Sequence, residues 1–324
     1  MRRRQFITLL GGAAAGWPLA ARGQQASMPV IGILSPGHSG TYASPAFDQG
    51  LSQAGFVEKQ NVSIEYRWAD DQNDRLPELA ADLVRRMVRV IVTFGNAAAN
   101  AAKAATTTIP IVFQGGFDPV AIGLVASLMR PGGNLTGVTT LGRELLPKRL
   151  EVLHELLPAI TNISLLVNPT SPGAEPQSRS MEAAVAALGL QLNVLNASSE
   201  GDFDSVFATL LRLRPTALVI GPDPFLITRS EQIGALTLRH AVPAVFQFPD
   251  FTAAGGLMSY GSSLAESIRL AGVYAGRILK GENPADLPVQ QAAKVELIIN
   301  LKTAKALGIT VPLPLSGRAD ELFE

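Results

Sequence analysis

Residues 90–123 read VIVTFGNAAANAAKAATTTIPIVFQGGFDPVAIG, and the order of residue types in this stretch decides the fold class. The run Val90–Phe94 is apolar and β-branched, which suits a strand covered on both faces. Gly95 and Asn96 follow at once, the alanine-rich segment 97–105 reads as a helix, and 109–113 reads as a second buried strand. Strand, tight turn, helix, strand is a right-handed crossover between parallel strands, and open α/β sheets bind ligands at the carboxyl edge where such loops lie. The loops here are 93–96 and 114–119. They hold small residues, amides and hydroxyls and little that performs covalent chemistry, so they read as a binding edge. The helix amino terminus at Ala97 offers free N–H groups to an anionic oxygen.

The same alternation extends in both directions. Residues 30–34 form a first strand that ends in the polar loop 35–41. A helix through Phe47, Leu51 and Ala54 stops at Gly55, and Val62, Ile64 and Tyr66 alternate as a second strand. Leu76, Leu79, Ala80, Leu83, Val84 and Met87 share one helical face. Residues 120–129 read as a short helix and 135–139 as a crossing segment. A second β/α set then begins, with strands at 163–167, 191–195, 217–220 and 242–246. A strand at 255–260, a helix opened by the capping box 263–266, and an extended stretch 284–290 read as a chain that returns to the first lobe and crosses again. The expectation is an α/β protein of two doubly wound parallel-sheet lobes. Lobe 1 takes 28–139 plus about 249–288, lobe 2 takes 140–248 plus about 289–324, and a hinge of three segments joins them.

Composition narrows the function. The 324 residues are 47% hydrophobic and carry 27 Lys plus Arg against 27 Asp plus Glu, so no net positive field invites nucleic acid or an anionic membrane. There is no cysteine, which removes disulfides, thiolate metal sites, thiol catalysis and a lipidated cysteine together. His38, His154 and His240 lie on separate elements, so neither a metal nor a cofactor is expected. No G-x-G-x-x-G after the first strand, Walker loop, G-x-S-x-G elbow or two-histidine zinc spacing is present, which argues against an enzyme.

Residues 1–23 read as an address. A paired arginine followed by x-Phe (Arg3, Arg4 and Phe6), then the short apolar run 7–21 and small residues at 21–23, is the pattern of a twin-arginine export signal. An uncleaved anchor is the alternative. The expected mature protein is soluble and periplasmic.

The leader MRRRQFITLLGGAAAGWPLAARGQQ, the segment FDPVAIGLVASLMRPGGNLTGVT, and the closing GGLMSYGSSLAESIRLAGVYAGRILKGENPADLPVQQAAKVELIINLKTAKALGITVP together resemble the ABC transporter substrate-binding proteins, in the branch that includes tryptophan and tyrosine binders. The resemblance spans nearly the whole chain. It implies a type I periplasmic binding-protein fold that closes on one small-molecule solute and hands it to an ABC permease in the inner membrane. A monomer is expected. Carried over by position, the pocket loops correspond to 35–41 (Ser35, Ser39, Thr41), 93–97 (Thr93, Gly95, Asn96, Ala97), 114–118 (Gln114, Phe117, Asp118), 168–171 (Asn168, Thr170, Ser171), Asp223 and Tyr260.

Within those loops the residue types suggest roles. The N–H groups of Asn96 and Ala97 with the Thr93 hydroxyl can hold a carboxylate, Asp118 or Asp223 can pair with an amine, and Phe117 and Tyr260 can wall an apolar or aromatic portion. Plainer readings stand beside these: Phe117 as core under its loop, Asp118 and Asp223 as turn or cap residues, and Tyr260 as a strand residue. The expected function is binding of a small organic solute, an amino acid or related carboxylate, for import. A ligand-sensing module for a membrane receptor is the alternative, and an α/β enzyme ranks below both.

Overall fold

The computed structural model describes residues 28–38, 45–70, 72–140, 142, 144–213 and 215–324. The leader with Arg3, Arg4 and Phe6, and the loop residues Ser39 and Thr41, lie outside the described residues. The first lobe runs β1 (Val30–Ser35), α1 (Pro45–Gln53), β2 (Ser63–Trp68), α2 (Leu76–Arg85), β3 (Val90–Phe94), α3 (Gly95–Ala105), β4 (Ile111–Gly115) and β5 (Leu135–Thr140). Every residue of β3, β4 and β5 is buried, because helices cover both faces of the sheet. Leu83, Ala98 and Ala102 from α2 and α3 pack on Leu34, Ile91 and Phe113. On the other face, Phe47 and Leu51 of α1 meet Ile33, Val92 and a helix that arrives from far along the chain.

The second lobe repeats the scheme with α4 (Leu146–Leu156), β6 (Asn162–Val167), α5 (Ala174–Ala187), β7 (Gln191–Asn196), α6 (Phe203–Arg212), β8 (Thr216–Ile220), α7 (Pro224–Thr228), α8 (Ser230–Arg239), β9 (Ala244–Phe246), α9 (Pro249–Ala253) and β10 (Met258–Ser262). The chain returns to lobe 1 as α10 (Leu264–Leu279) and β11 (Gln290–Ala292). It ends in lobe 2 as β12 (Val295–Asn300), α11 (Leu301–Ala306), α12 (Leu313–Ser316) and β13 (Glu321–Phe323). Among the described residues the strands form a six-stranded sheet, β11-β5-β4-β3-β1-β2, and a seven-stranded sheet, β13-β12-β10-β9-β8-β6-β7. Strand pairs are parallel apart from β10 with β12.

Each sheet reverses its strand order once, between β1 and β3 in lobe 1 and between β6 and β8 in lobe 2. At such a reversal, successive crossovers leave on opposite faces, and a crevice opens at the carboxyl ends of the two strands. The fold therefore places one crevice beside Ser35 and Thr93 and another beside Val167 and Ile220.

Sheet membership shifts two expected boundaries. The strand expected at 255–260 is β10, and it pairs with β9 and β12 in the second sheet, so the chain returns to lobe 1 after Ser262 and not near 249. The stretch expected as the last crossing ends in β11, which pairs with β5, so that crossing falls after Ala292. Edge strands of three residues carry too little periodicity to be assigned from sequence. Residues 120–129 are a run of turns and no helix. There the Asp118 carboxylate accepts from the N–H groups of Val120 and Ala121, both at 3.0 Å, and Gly123 takes φ +71°, a local alternative that competes with helix formation.

Helix α10 is anchored to lobe 1 by glycines. A Cβ on Gly50 of α1 would lie 1.8 Å from the Arg269 carbonyl oxygen, and one on Gly272 of α10 would lie 2.3 Å from that of Phe47. The two helix backbones touch where side chains would hold them apart. Ser263 caps α10 by accepting from Glu266 N–H at 3.2 Å. Its own N–H donates to the Lys294 carbonyl at 2.8 Å, which lays the second and third crossings side by side.

Candidate functional site

In lobe 1 the crevice residues come from the ends of β1, β3 and β4. Ser35 is buried, and its hydroxyl accepts from Gly37 N–H at 3.2 Å, which shapes the start of the loop. Thr93 stands in register with Leu34 and Phe113. It is 0% exposed, and its Oγ1 has no hydrogen-bond partner among the described residues. A buried hydroxyl left unpaired costs about 1–3 kcal/mol, a cost that a bound oxygen would remove. Gly95 takes φ +78°, which lets β3 turn directly into α3. The N-cap residue Phe94 supplies no side-chain cap, so among the described residues the first-turn N–H groups at Asn96 and Ala97, both partly buried, keep their capacity to donate.

The β4 loop differs from expectation. The Gln114 amide donates to Ser267 Oγ at 2.9 Å in the interior, so it fastens α10 to the sheet. Phe117 packs on Phe113 with ring centroids 5.7 Å apart, over Gly115, whose Cβ would lie 2.3 Å from the ring. This is the plainer reading of Phe117: with no side chain at Gly115, the ring turns inward. Asp118 is exposed and serves its own turn.

In lobe 2, Asn168, Thr170, Ser171 and Asp223 come together at the β6/β8 reversal. Asn168 Nδ2 donates to Asp223 Oδ1 at 3.2 Å, and Asn168 Oδ1 accepts from the Thr170 N–H and hydroxyl at 3.1 and 2.8 Å. Ser171 Oγ accepts from Gly173 N–H at 3.3 Å. Asp223, 3% exposed, also accepts from the N–H groups of Phe225 and Leu226 and so caps α7. No cation pairs with it among the described residues. Tyr260 is half-buried, packs against the lobe 2 core as a strand residue would, and offers its carbonyl to Arg149 Nε at 2.7 Å.

Several residues of this region were missed by sequence reasoning. Arg149 on α4 is 0% exposed and makes no ion pair within 4 Å among the described residues; burial pulls its pKa down to about 9, opposed in part by Tyr260 and the charge of Glu144. Gln247 follows β9 at the carboxyl edge of the second sheet and is 5% exposed. A cavity of about 220 Å³ beside the hinge is lined by Phe117 and Asp118 together with Thr139, Thr140, Glu144 and Gln291. The pattern at Asn168, a polar residue directly after a parallel strand, applies equally to Gln247. A larger groove of about 530 Å³, lined by Leu301, Ile309 and Leu322, lies at the far end of lobe 2 and holds none of the candidate residues. Polar groups converge at the crevices and do not in that groove. Among the described residues no group of three His, Cys, Asp or Glu can hold a metal, and no helix is long and apolar enough to cross a membrane.

Comparison with known proteins identifies the family and the fold. The family model described as ABC transporter substrate binding protein matches residues 30–323. A tyrosine-binding protein of Clostridioides difficile (strain R20291) is 24% identical over 265 residues, 82% of this chain and 76% of that protein. Among solved structures, a conserved domain protein from Vibrio cholerae superposes with a TM-score of 0.77 at 25% identity, over 91% of this chain and 99% of that one. An ABC domain in complex with L-Trp from Streptococcus pneumonia gives 0.78 at 23% identity, over 92% and 100%. The architecture is the type I periplasmic binding-protein fold.

Proposed function

Because the chain belongs to the ABC transporter substrate binding protein family, whose members bind solutes for a membrane transporter and are not enzymes, we propose that it is the periplasmic solute-binding component of an importer. A twin-arginine-type leader exports it, its lobes close over an amino acid, and an inner-membrane permease receives the solute from the closed form. An aromatic amino acid is the favoured solute. One relative named as tyrosine-binding and one fold neighbour bound to L-Trp support that class.

The observation that carries the reading is a pair of opposite unmet demands at the two carboxyl edges. Lobe 1 offers the start of α3, not capped by Phe94, and a Thr93 hydroxyl unpaired among the described residues, which suit an anionic oxygen. Lobe 2 offers Asp223, a buried carboxylate with no cation beside it among the described residues, which suits an ammonium group. A zwitterionic α-amino acid answers both. Among the residues at these edges, Thr93, Asn96, Ala97 and Asp223 are the proposed contacts; Gln114 and Phe117 hold the scaffold. The test is a thermal-shift screen of the twenty amino acids on the mature chain, followed by calorimetry. Stabilisation by L-tryptophan or L-tyrosine is expected, and no shift with either overturns the solute class.

A further inference from the structure

Arg149 is a guanidinium sealed inside lobe 2 whose hydrogen-bond acceptors are all neutral, with Glu144 acting on it only through its charge. Its Nε donates to the Tyr260 carbonyl at 2.7 Å, one terminal nitrogen to the Gly142 carbonyl at 3.0 Å, and the other to Gln247 Oε1 at 3.5 Å. Gly142 lies on the first crossing. A Cβ there would stand 3.3 Å from Gln247 Oε1, 3.6 Å from Pro222 Cβ and 3.8 Å from the Gly116 carbonyl oxygen. The Gln247 side chain thus sits where the β4 loop of lobe 1, the β8 loop of lobe 2 and the hinge converge. Its carbonyl end faces the Arg149 guanidinium at 3.5 Å, the long end of hydrogen-bond range. Its Nε2 has no acceptor among the described residues, yet it is not among the polar atoms sealed from solvent. A buried cation on one side of a primary amide leaves the amide one favoured orientation, with its N–H bonds directed away from the charge.

We propose that Gln247 is a solute-contacting residue of lobe 2, and that Arg149 is its positioning residue. Arg149 turns the amide so that lobe 2 presents a hydrogen-bond donor at the hinge end of the cleft. The site there takes an oxygen acceptor, a carboxylate or carbonyl oxygen of the solute, and disfavours an ammonium group. This rests on the reading of the cleft as an amino-acid site. It adds a lobe 2 partner for the solute's acidic end, which the strand-end residues of lobe 1 alone would leave one-sided.

The experiment measures calorimetric affinity for L-tryptophan and L-tyrosine, with melting temperature, for wild type, Gln247→Ala and Gln247→Glu. Gln247→Ala is expected to weaken binding about tenfold, the effect of one lost hydrogen bond to a charged group. Gln247→Glu gives Arg149 a counter-charge and withdraws the donor, so the melting temperature should rise while affinity falls by more than in the alanine variant. A residue that only packs would not raise stability and lower affinity together. Wild type that binds with both variants within twofold of it overturns this inference alone. Wild type that binds neither amino acid overturns it together with the reading it rests on.

Discussion

Asn168 Nδ2 reaches Asp223 Oδ1 across 3.2 Å and so joins the loops after β6 and β8 at the point where the second sheet reverses its order. The two residues are far apart in sequence, yet each directly follows or closely trails a buried parallel strand, and the reversal brings those strand ends to one crevice. Oδ1 of the same carboxylate caps α7. One group therefore serves the fold and the proposed ammonium contact at once.

The two duties separate by substitution. Asp223→Asn keeps an acceptor for the Phe225 and Leu226 N–H groups and should retain most stability, while affinity for an amino acid falls at least tenfold. Asp223→Ala removes the cap as well and should cost about 1–2 kcal/mol of folding stability. Chemical denaturation and calorimetry on the two variants check this, and an Asn variant that binds as wild type removes the ammonium-partner role.

Thr93→Val should behave in the reverse manner. The hydroxyl is buried and unpaired, so exchanging it for a methyl of the same shape leaves stability unchanged or raises it by about 1 kcal/mol. Loss of the contact to the solute should weaken binding about tenfold. Equal affinity in the valine variant would return Thr93 to a purely structural role.

Gly272→Ala tests how the return helix is held. The new Cβ would stand 2.3 Å from the Phe47 carbonyl oxygen, and that backbone cannot withdraw without separating α10 from α1. A loss of about 1–3 kcal/mol is expected by denaturant titration. Gly201→Ala, where the added Cβ meets nothing nearer than Ser199 Oγ at 3.8 Å, should stay within about 0.5 kcal/mol.

Acid should release a surface network on lobe 1. The hydrogen bond from Arg67, with Arg86 adding to it, holds the Asp82 carboxyl at about 2. The folded value lies below the unfolded one of about 3.9. The stabilisation is therefore complete above about pH 4 and disappears as pH falls towards 2. Asp82→Asn should lower the melting temperature at pH 7, and its difference from wild type should shrink steadily between pH 4 and pH 2. A difference independent of pH would show that Asp82 does not act through its charge.

Closure should be visible in solution. Two lobes joined by three short crossings are expected to move as a hinge, with a solute touched from both sides favouring the closed state. Small-angle scattering of the mature chain should show a smaller radius of gyration at saturating L-tryptophan or L-tyrosine. An identical profile with a calorimetrically bound amino acid would contradict hinge closure.

The elements themselves were legible in the chain, and for one reason: β-branched runs such as Val90–Phe94, and helices with one apolar face such as Leu76–Arg85, carry their periodicity locally. Right-handed crossovers put the loop with Thr93 and Asn96 at the carboxyl edge from sequence alone, while Asn168 and Asp223 enter as site residues through the family resemblance. What a side chain does at that edge was not legible. Phe117 turns inward because Gly115 vacates the space beneath it, Gln114 is taken up by Ser267 from a helix some 150 residues later, and Asp118 closes its own turn. The strand before Gln247 was legible, but its link to Arg149 joins residues about a hundred positions apart and leaves no local signal; the crossings fall after Ser262 and Ala292 because pairing of β10 with β12 and of β11 with β5 decides sheet membership. Local residue pattern determines which segments are strands and helices. Only the tertiary structure decides which polar groups find partners inside the protein and which are left for a guest, because that depends on neighbours brought together from distant parts of the chain.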